Sequence, residues 1–266
     1  MTAAILWQRP RPGAEPGGYA AHVEALRELL AAIRRRHASV AFASSLSVED
    51  IALTHALVTY GTPVDVFVID TGRLHRQTLG LASAVVQRLG VRLQIVRPDP
   101  AAVERHVGEH GLFGFYDSVE VRKACCHLRK VEPLERALAG RDAWLTGQRR
   151  AHGPERARLA VEERDTTRGI AKYNPLALWS DADVWHYIDR HQLPVNPLHS
   201  RGYPSIGCEP CTRAVRADED PRAGRWWWED GSAKECGLHI KPQAPGAALS
   251  APPAAIPESI RKPQIA

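Results

Sequence analysis

The sequence predicts an α/β fold: a Rossmann-like parallel sheet with helices on both faces, followed by a loop-rich C-terminal segment. Three observations predict it. Strand-like and helix-like stretches alternate between residues 19 and 97. The strand-like runs are continuously apolar, as strands buried on both faces are. Three of the strand ends carry unusual polar sequence, and ligands of open parallel sheets bind at such ends.

Residues 1–18, rich in Pro and Arg toward the start, read as a flexible lead. From Tyr19 to Arg36 the apolar residues Val23, Leu26, Leu29, Leu30 and Ile33 recur on one helical face. Ser39 to Leu46 is a short apolar strand, and Val48 to Tyr60 a helix. Val64 to Asp70 is a strand, Arg76 to Leu89 a helix, and Val91 to Arg97 a third strand. Pro100 to Gly140 is helical, Ala143 to Thr146 a strand, and Lys172 to Leu178 an edge strand. An arginine- and acid-rich stretch separates those last two strands. Ser180 caps a further helix, with Asp183 as its capping-box partner. Residues 193–239 show little periodicity, and the Pro/Ala-rich tail 241–266 reads as disordered. The organisation expected is a lead (1–18), one domain (19–240) whose final part (about 216–240) forms an arm, and the tail.

The chain has 266 residues, 44% of them hydrophobic, enough for one sizeable core. No run approaches the roughly 18 apolar residues of a membrane span, and the N-terminus has no signal-peptide pattern. A cytoplasmic location without membrane contact is expected. The net charge of +5 comes almost wholly from arginine, since lysine occurs only at 123, 130, 172, 234, 241 and 262. Arginine forks suit phosphate and sulfate oxygens, but a GC-rich genome also inflates arginine. The charge therefore indicates at most an anionic partner.

The polar strand ends are Ser44-Ser-Leu-Ser-Val-Glu-Asp50, Asp70-Thr-Gly-Arg-Leu-His75 and Thr146-Gly-Gln-Arg-Arg150. Hydroxyls at a helix start can cradle an anion; they can equally be plain caps, which Ser47 with Asp50 would satisfy. Glycine lets a backbone approach a ligand closely. The bland alternative for the two Thr-Gly ends is a pair of tight turns with solvated arginines.

Five cysteines in such a chain favour metal or redox chemistry over disulfides. Cys208 and Cys211 have CxxC spacing, Cys125 and Cys126 are adjacent, and Cys236 stands alone. The simplest partition is four ligands and one remaining thiol. Neighbouring side chains on a helix diverge, which is awkward for one zinc ion. A [4Fe-4S] cluster offers separate iron positions and suits the pair better. Small buried core cysteines are the bland reading, weakened by Lys123, His127, Arg129 and Lys130 around the pair.

These stretches carry a resemblance. Ile69-Asp-Thr-Gly-Arg-Leu-His75, Lys123-Ala-Cys-Cys-His-Leu-Arg-Lys130, Thr146-Gly-Gln-Arg-Arg150, Gly207-Cys-Glu-Pro-Cys211, Arg222-Ala-Gly-Arg-Trp-Trp-Trp228 and Glu235-Cys-Gly-Leu-His239 resemble the assimilatory adenylyl-sulfate (APS) reductases, the cluster-bearing branch of the APS/PAPS reductases. The resemblance covers most of residues 38–239. Ser47 stands where that family usually has glycine, so a positive φ there would be strained.

The resemblance implies a fold of the adenine nucleotide alpha hydrolase-like kind, related to ATP pyrophosphatases. It implies reduction of APS to sulfite and AMP by thioredoxin, with Cys236 as nucleophile and a Cys-S-sulfonate intermediate. Cys125, Cys126, Cys208 and Cys211 would hold the [4Fe-4S] cluster. Ser44, Ser45, Ser47, Asp70, Thr71, Gly72, Arg73, Lys130, Gly147, Arg149, Arg150, Arg222, Arg225 and His239 would bind substrate. Nucleic acid is not an expected partner, and a homo-oligomer is compatible with the sequence. PAPS is the closest rival substrate. A tRNA sulfurtransferase of the ATP-pyrophosphatase type would need a Gly-Gly phosphate loop, which residues 44–50 lack. A zinc-stapled module without catalysis would leave Cys236 and the arginine-bearing strand ends unexplained.

Overall fold

A computed structural model describes residues 5–229. Helix α1 (Tyr19–Arg36) leads into strand β1 (Val40–Ser44), α2 (Val48–Thr59), β2 (Asp65–Ile69), α3 (Arg76–Leu89) and β3 (Leu93–Val96). Then come α4 (Pro100–His110), α5 (Val119–Cys126), α6 (Glu132–Leu138), β4 (Ala143–Leu145), β5 (Glu162–Asp165), β6 (Ile170–Tyr173) and α7 (Asp181–Arg190). The sheet order is β3-β2-β1-β4-β6-β5, with every neighbour parallel except the antiparallel β5–β6 pair.

Alternate residues of each strand face opposite sides, and both sides are covered. Val40 and Phe42 of β1 pack with Leu30 and Ile33 of α1, Ile51 of α2, Val85 of α3 and Ile188 of α7. Ala41 of β1, Phe67 of β2 and Trp144 of β4 pack on the other side against Leu134 and Leu138 of α6. This is the covered parallel sheet expected from continuous apolar strands. The capping box of α7 forms as read, with Ser180 Oγ accepting from Asp183 N.

Two expectations are corrected. The strand read as an edge over 172–178 is β6, ending at Tyr173, and it lies inside the sheet. The true edge, β5, is Glu-Glu-Arg-Asp; its charges give no apolar period and blunt an otherwise open edge. The lead read as flexible is tied down from Ile5 onward. Trp7 N donates to Val215 O at 3.0 Å, Ala217 N to Ile5 O at 2.9 Å, and Arg9 pairs with Asp189 at 2.7 Å. The guanidinium of Arg9 also lies over the Trp185 ring, 5.0 Å from its centre.

Among the described residues no helix is long and apolar enough to cross a membrane. Cys236, His239 and the tail 241–266 lie outside the described residues.

Candidate active site

The chain runs outward from β1 through β2 to β3, then returns to place β4 on the other side of β1. The crevice between β1 and β4 is thus the switch point where open sheets take ligands. The described site has two parts: that crevice, and a thiol-lined pocket between the end of β2 and α5.

The thiol pocket is assembled from three segments. Ser118 caps α5 by accepting from Val121 N, and the helix ends on Cys125 and Cys126. The turn that follows, His127–Val131, is π-helical, with Glu132 N donating to His127 O. Pro133 supplies a reason: it cannot donate to the Arg129 carbonyl, and its ring crowds that carbonyl, so the turn opens. Cys208 and Cys211 flank a tight turn, with Cys211 N donating to Cys208 O at 3.0 Å. That turn is fastened to the loop after β2. Leu74 forms a bridge with Cys208, and Glu209 N donates to Arg73 O at 2.8 Å.

These four cysteines line one pocket, with Arg73, Phe115, Arg122, Arg129 and Lys130. Arg129 Nη1 donates to Thr71 O at 2.7 Å, while its buried Nε has no hydrogen-bond partner among the described residues. The buried Nε of Arg225 is likewise without one, and its guanidinium lies over the Trp226 ring. Gly207 leaves room beside it; a Cβ there would sit 2.3 Å from the Arg225 guanidinium, which would have to shift.

Charge in the pocket is uneven. Burial alone would raise the Cys208 thiol, but Lys130, the Thr71 hydroxyl, Arg225 and Arg129 outweigh it and hold Cys208 below its ordinary value. The Thr71 Oγ1 to Cys208 Sγ distance is 3.3 Å. Burial and then the charge of Cys208 push Cys211 up. Cys125 is also raised, mainly by burial. Four thiolates in this space need positive charge among them, which is what a thiolate-bound metal group provides. Among the described residues no three His, Cys, Asp or Glu are drawn together tightly enough for a single ion.

The crevice behaves differently. Ser47 caps α2 with φ −67°, so the strain expected there is absent; the positive φ of 61° falls on Leu46. Ser45 N and Oγ both donate to Asp50 at 2.6 Å, and Leu46 N donates to Ser44 Oγ. Gly147 is obligatory here, because a Cβ would lie 2.1 Å from Asp50 Oδ1. Arg149, expected to face an anion, is 2% exposed and turned inward. Its Nη2 donates to Glu49 at 2.7 Å and to Asp181, and its Nη1 to Trp179 O. His152 Nε2 lies 2.9 Å from the same Glu49 oxygen. Burial opposes the Glu49 charge, yet His152 and Arg149 hold its carboxyl well below the usual range.

The structure therefore brings Arg73, Lys130, Thr71 and Arg225 together with the thiols. Gly72, at φ 70°, lets Arg129 approach. Asp70 builds its own loop, accepting from Gly72 N and Arg97 Nε. Arg150 is exposed, its Nε donating to Leu159 O. Arg222 is half-buried in the turn before Arg225, where Arg225 N donates to Arg222 O. The buried carboxylates Glu49 and Asp50 were missed as a pair with separate jobs, as were Arg122 and the hydrogen bond of Thr71 to a thiol. Pro133 inside a helical run was the available signal for the widened turn.

Residues 39–214 match the domain family described as phosphoadenosine phosphosulfate reductase domain. A relative from Burkholderia cepacia, named adenosine 5'-phosphosulfate reductase, is 60% identical over 221 residues, 83% of this chain and 88% of its own. One of the same name from Allochromatium vinosum is 50% identical, covering 82% of this chain and 85% of its own. Among solved structures, a phosphoadenylyl-sulfate (PAPS) reductase from Candida auris in a phosphate complex superposes with a TM-score of 0.60 at 26% identity, over 74% of this chain and 97% of that one.

Proposed function

The chain belongs to the phosphoadenosine phosphosulfate reductase domain family, and from that premise we propose that it reduces adenosine 5'-phosphosulfate to sulfite and AMP in sulfate assimilation. The relatives named for that reaction support the substrate. The observation that carries the reading is the convergence of four thiols and several cations beside the end of β2. The proposed setting is the cytoplasm, where thiols stay reduced.

In this reading Cys125, Cys126, Cys208 and Cys211 would hold a [4Fe-4S] cluster; bound by four thiolates it would remain net negative, and Arg73, Arg129 and Lys130 around it would supply the positive charge near the sulfate. Cys236, as thiolate, attacks the sulfur of the substrate. The bond from that sulfur to the bridging phosphate oxygen breaks, and AMP leaves. Cys236 then carries a sulfonate. A thiolate of thioredoxin attacks the Cys236 sulfur and sulfite departs with the bonding pair. The second thioredoxin thiol resolves the mixed disulfide, restoring Cys236 and leaving thioredoxin oxidised. Arg73, Lys130 and Arg225 offset the negative charge of substrate and thiolate as they meet. Gly147 and Ser45 lie at the crevice mouth, and Arg149 acts from behind by fixing Glu49 and the β4 loop.

The test is sulfite release from APS and from PAPS, each with reduced thioredoxin. Sulfite from APS is expected; PAPS is the second reading, favoured by the likeness to the solved PAPS reductase from Candida auris. No sulfite from either would overturn both. Anaerobically purified protein should be brown with about four irons and four sulfides per chain, and Cys208→Ser should bleach it. Stoichiometric zinc in place of iron would overturn the cofactor.

A further inference from the structure

Residues 225–229, Arg-Trp-Trp-Trp-Glu, are the last described before the segment that carries Cys236. They are fastened to both cysteine pairs. Trp226 N donates to Cys211 O at 3.2 Å, and Arg225 bridges Thr212 just after the CxxC turn. The Trp228 ring meets Tyr116 edge-on at 4.4 Å, and the Tyr116 hydroxyl donates to Pro210 O. On the other side stands Arg122, 1% exposed, on α5 one turn before Cys126. Its Nε and Nη2 donate to the two oxygens of Glu229 at 2.7 and 2.8 Å. The same guanidinium hydrogen-bonds the Cys126 thiol and lies over the Trp226 ring, 4.7 Å from its centre.

One side chain thus touches a thiol of the pocket, the indole beside it, and the carboxylate seven residues ahead of Cys236. A bidentate fork fixes both distance and plane, where a single hydrogen bond fixes only distance. The pair is also too buried to exist for solubility, and an apolar pair of like volume would be as stable or more so.

We propose that Arg122 and Glu229 are positioning residues: their buried ion pair registers the root of the Cys236 segment against the thiol pocket, so that Cys236 is delivered to the sulfur of the bound nucleotide. The proposal rests on the reading of Cys236 as nucleophile. Its consequence is that breaking the pair slows sulfonation of Cys236 while nucleotide affinity and iron content stay as they are.

The experiment compares wild type with Glu229→Gln and with Glu229→Leu, both of which leave Arg122 and its contact with the Cys126 thiol in place. Iron content, APS dissociation constant and single-turnover sulfonation of Cys236, followed by mass spectrometry without thioredoxin, are measured on each. The expected result for Glu229→Leu is full iron, APS affinity within about twofold, and sulfonation slowed by about 10- to 100-fold, the scale of an ångström of misplacement. Glu229→Gln, which keeps one fork contact, should fall between that variant and wild type. An iron-loaded Glu229→Leu variant that sulfonates Cys236 at the wild-type rate overturns the proposal alone. Variants that lose iron or APS affinity in step with their sulfonation also overturn it, since the pair would then only hold the fold. Wild-type protein that never sulfonates Cys236 overturns the nucleophile reading, and the proposal with it.

Discussion

Two turns of this molecule are written almost alike and do opposite work. Thr71-Gly72-Arg73 ends β2, and Thr146-Gly147-Gln148-Arg149 ends β4. In both, the threonine hydroxyl accepts from the backbone N–H two residues on, at 3.2 Å. At β2 Arg73 Nη2 donates to Leu112 O at 2.6 Å, but Arg73 has no carboxylate partner among the described residues, and Arg129, which donates to Thr71 O, lines the thiol pocket with its Nε uncommitted among those residues. At β4 the arginine is consumed by Glu49, Asp181 and a carbonyl. The difference lies in what faces each turn: cysteines in one case, two buried carboxylates in the other. An arginine at a strand end is therefore a ligand-binding candidate only after its carboxylate neighbours have been counted.

The largest expected effect tests that contrast directly. Arg149→Ala leaves Glu49 buried without its guanidinium partner, only His152 remaining beside it, and should cost about 3–5 kcal/mol of stability. Arg129→Ala, at the other turn, should cost about 1 kcal/mol but, on the proposed cluster, loosen the iron. Urea unfolding and iron retention under a chelator separate the two. Equal stability losses would erase the contrast.

The glycines should differ next. Gly147→Ala drives a methyl into Asp50 and should destabilise by about 3 kcal/mol, the upper range for overpacking. Gly72→Ala meets only a flexible arginine tip at 3.4 Å and bears mainly the strain of φ 70°, about 1 kcal/mol. Thermal midpoints of the two variants check the order.

The smallest effect sharpens the electrostatics of the β4 side. Burial pushes the Asp50 carboxyl up to about 6; Ser45 opposes this and Glu49 adds to it. The native state then holds a proton that the unfolded chain releases between pH about 4 and about 6. Stability should fall as pH rises through that window, by on the order of 2 kcal/mol, and level off above it. Asp50→Asn should flatten this slope. Glu49, held low, contributes in the other sense, and its share is lost only as pH falls below the ordinary carboxylate range. Unfolding midpoints at several pH values, compared between wild type and Asp50→Asn, would detect the missing slope.

Much of the scaffold was legible because its cause is local. The period of Leu26, Leu30 and Ile33 gave α1 its bounds, and the Ser180 capping box gave α7 its start. β5 was invisible because an edge strand of four charged residues has no burial period to read. The cysteines could be grouped from their spacing, since few residue types do what thiols do. The pairing of Arg149 with Glu49, 100 positions away, is a long-range event that no spacing announces. Ser47 shows the finer limit: the loop met its need for a left-handed residue one position earlier, at Leu46.

The widened turn at His127–Val131 acts as a phase shifter between two short helices. α6 is locked in azimuth by Leu134 and Leu138 against the sheet, and α5 inherits its rotation through that turn. One residue of α-helix is worth about 100° of rotation. Deleting a single residue there, and so restoring a regular helix, would keep every cysteine in the chain and every contact of α6, yet swing Cys125 and Cys126 about a quarter of the way around the axis, away from Cys208 and Cys211. The four-thiol pocket is in this sense encoded by an insertion of angle, and a protein of this length lacking that one residue would be the cleanest thiol-bearing counterpart without a pocket.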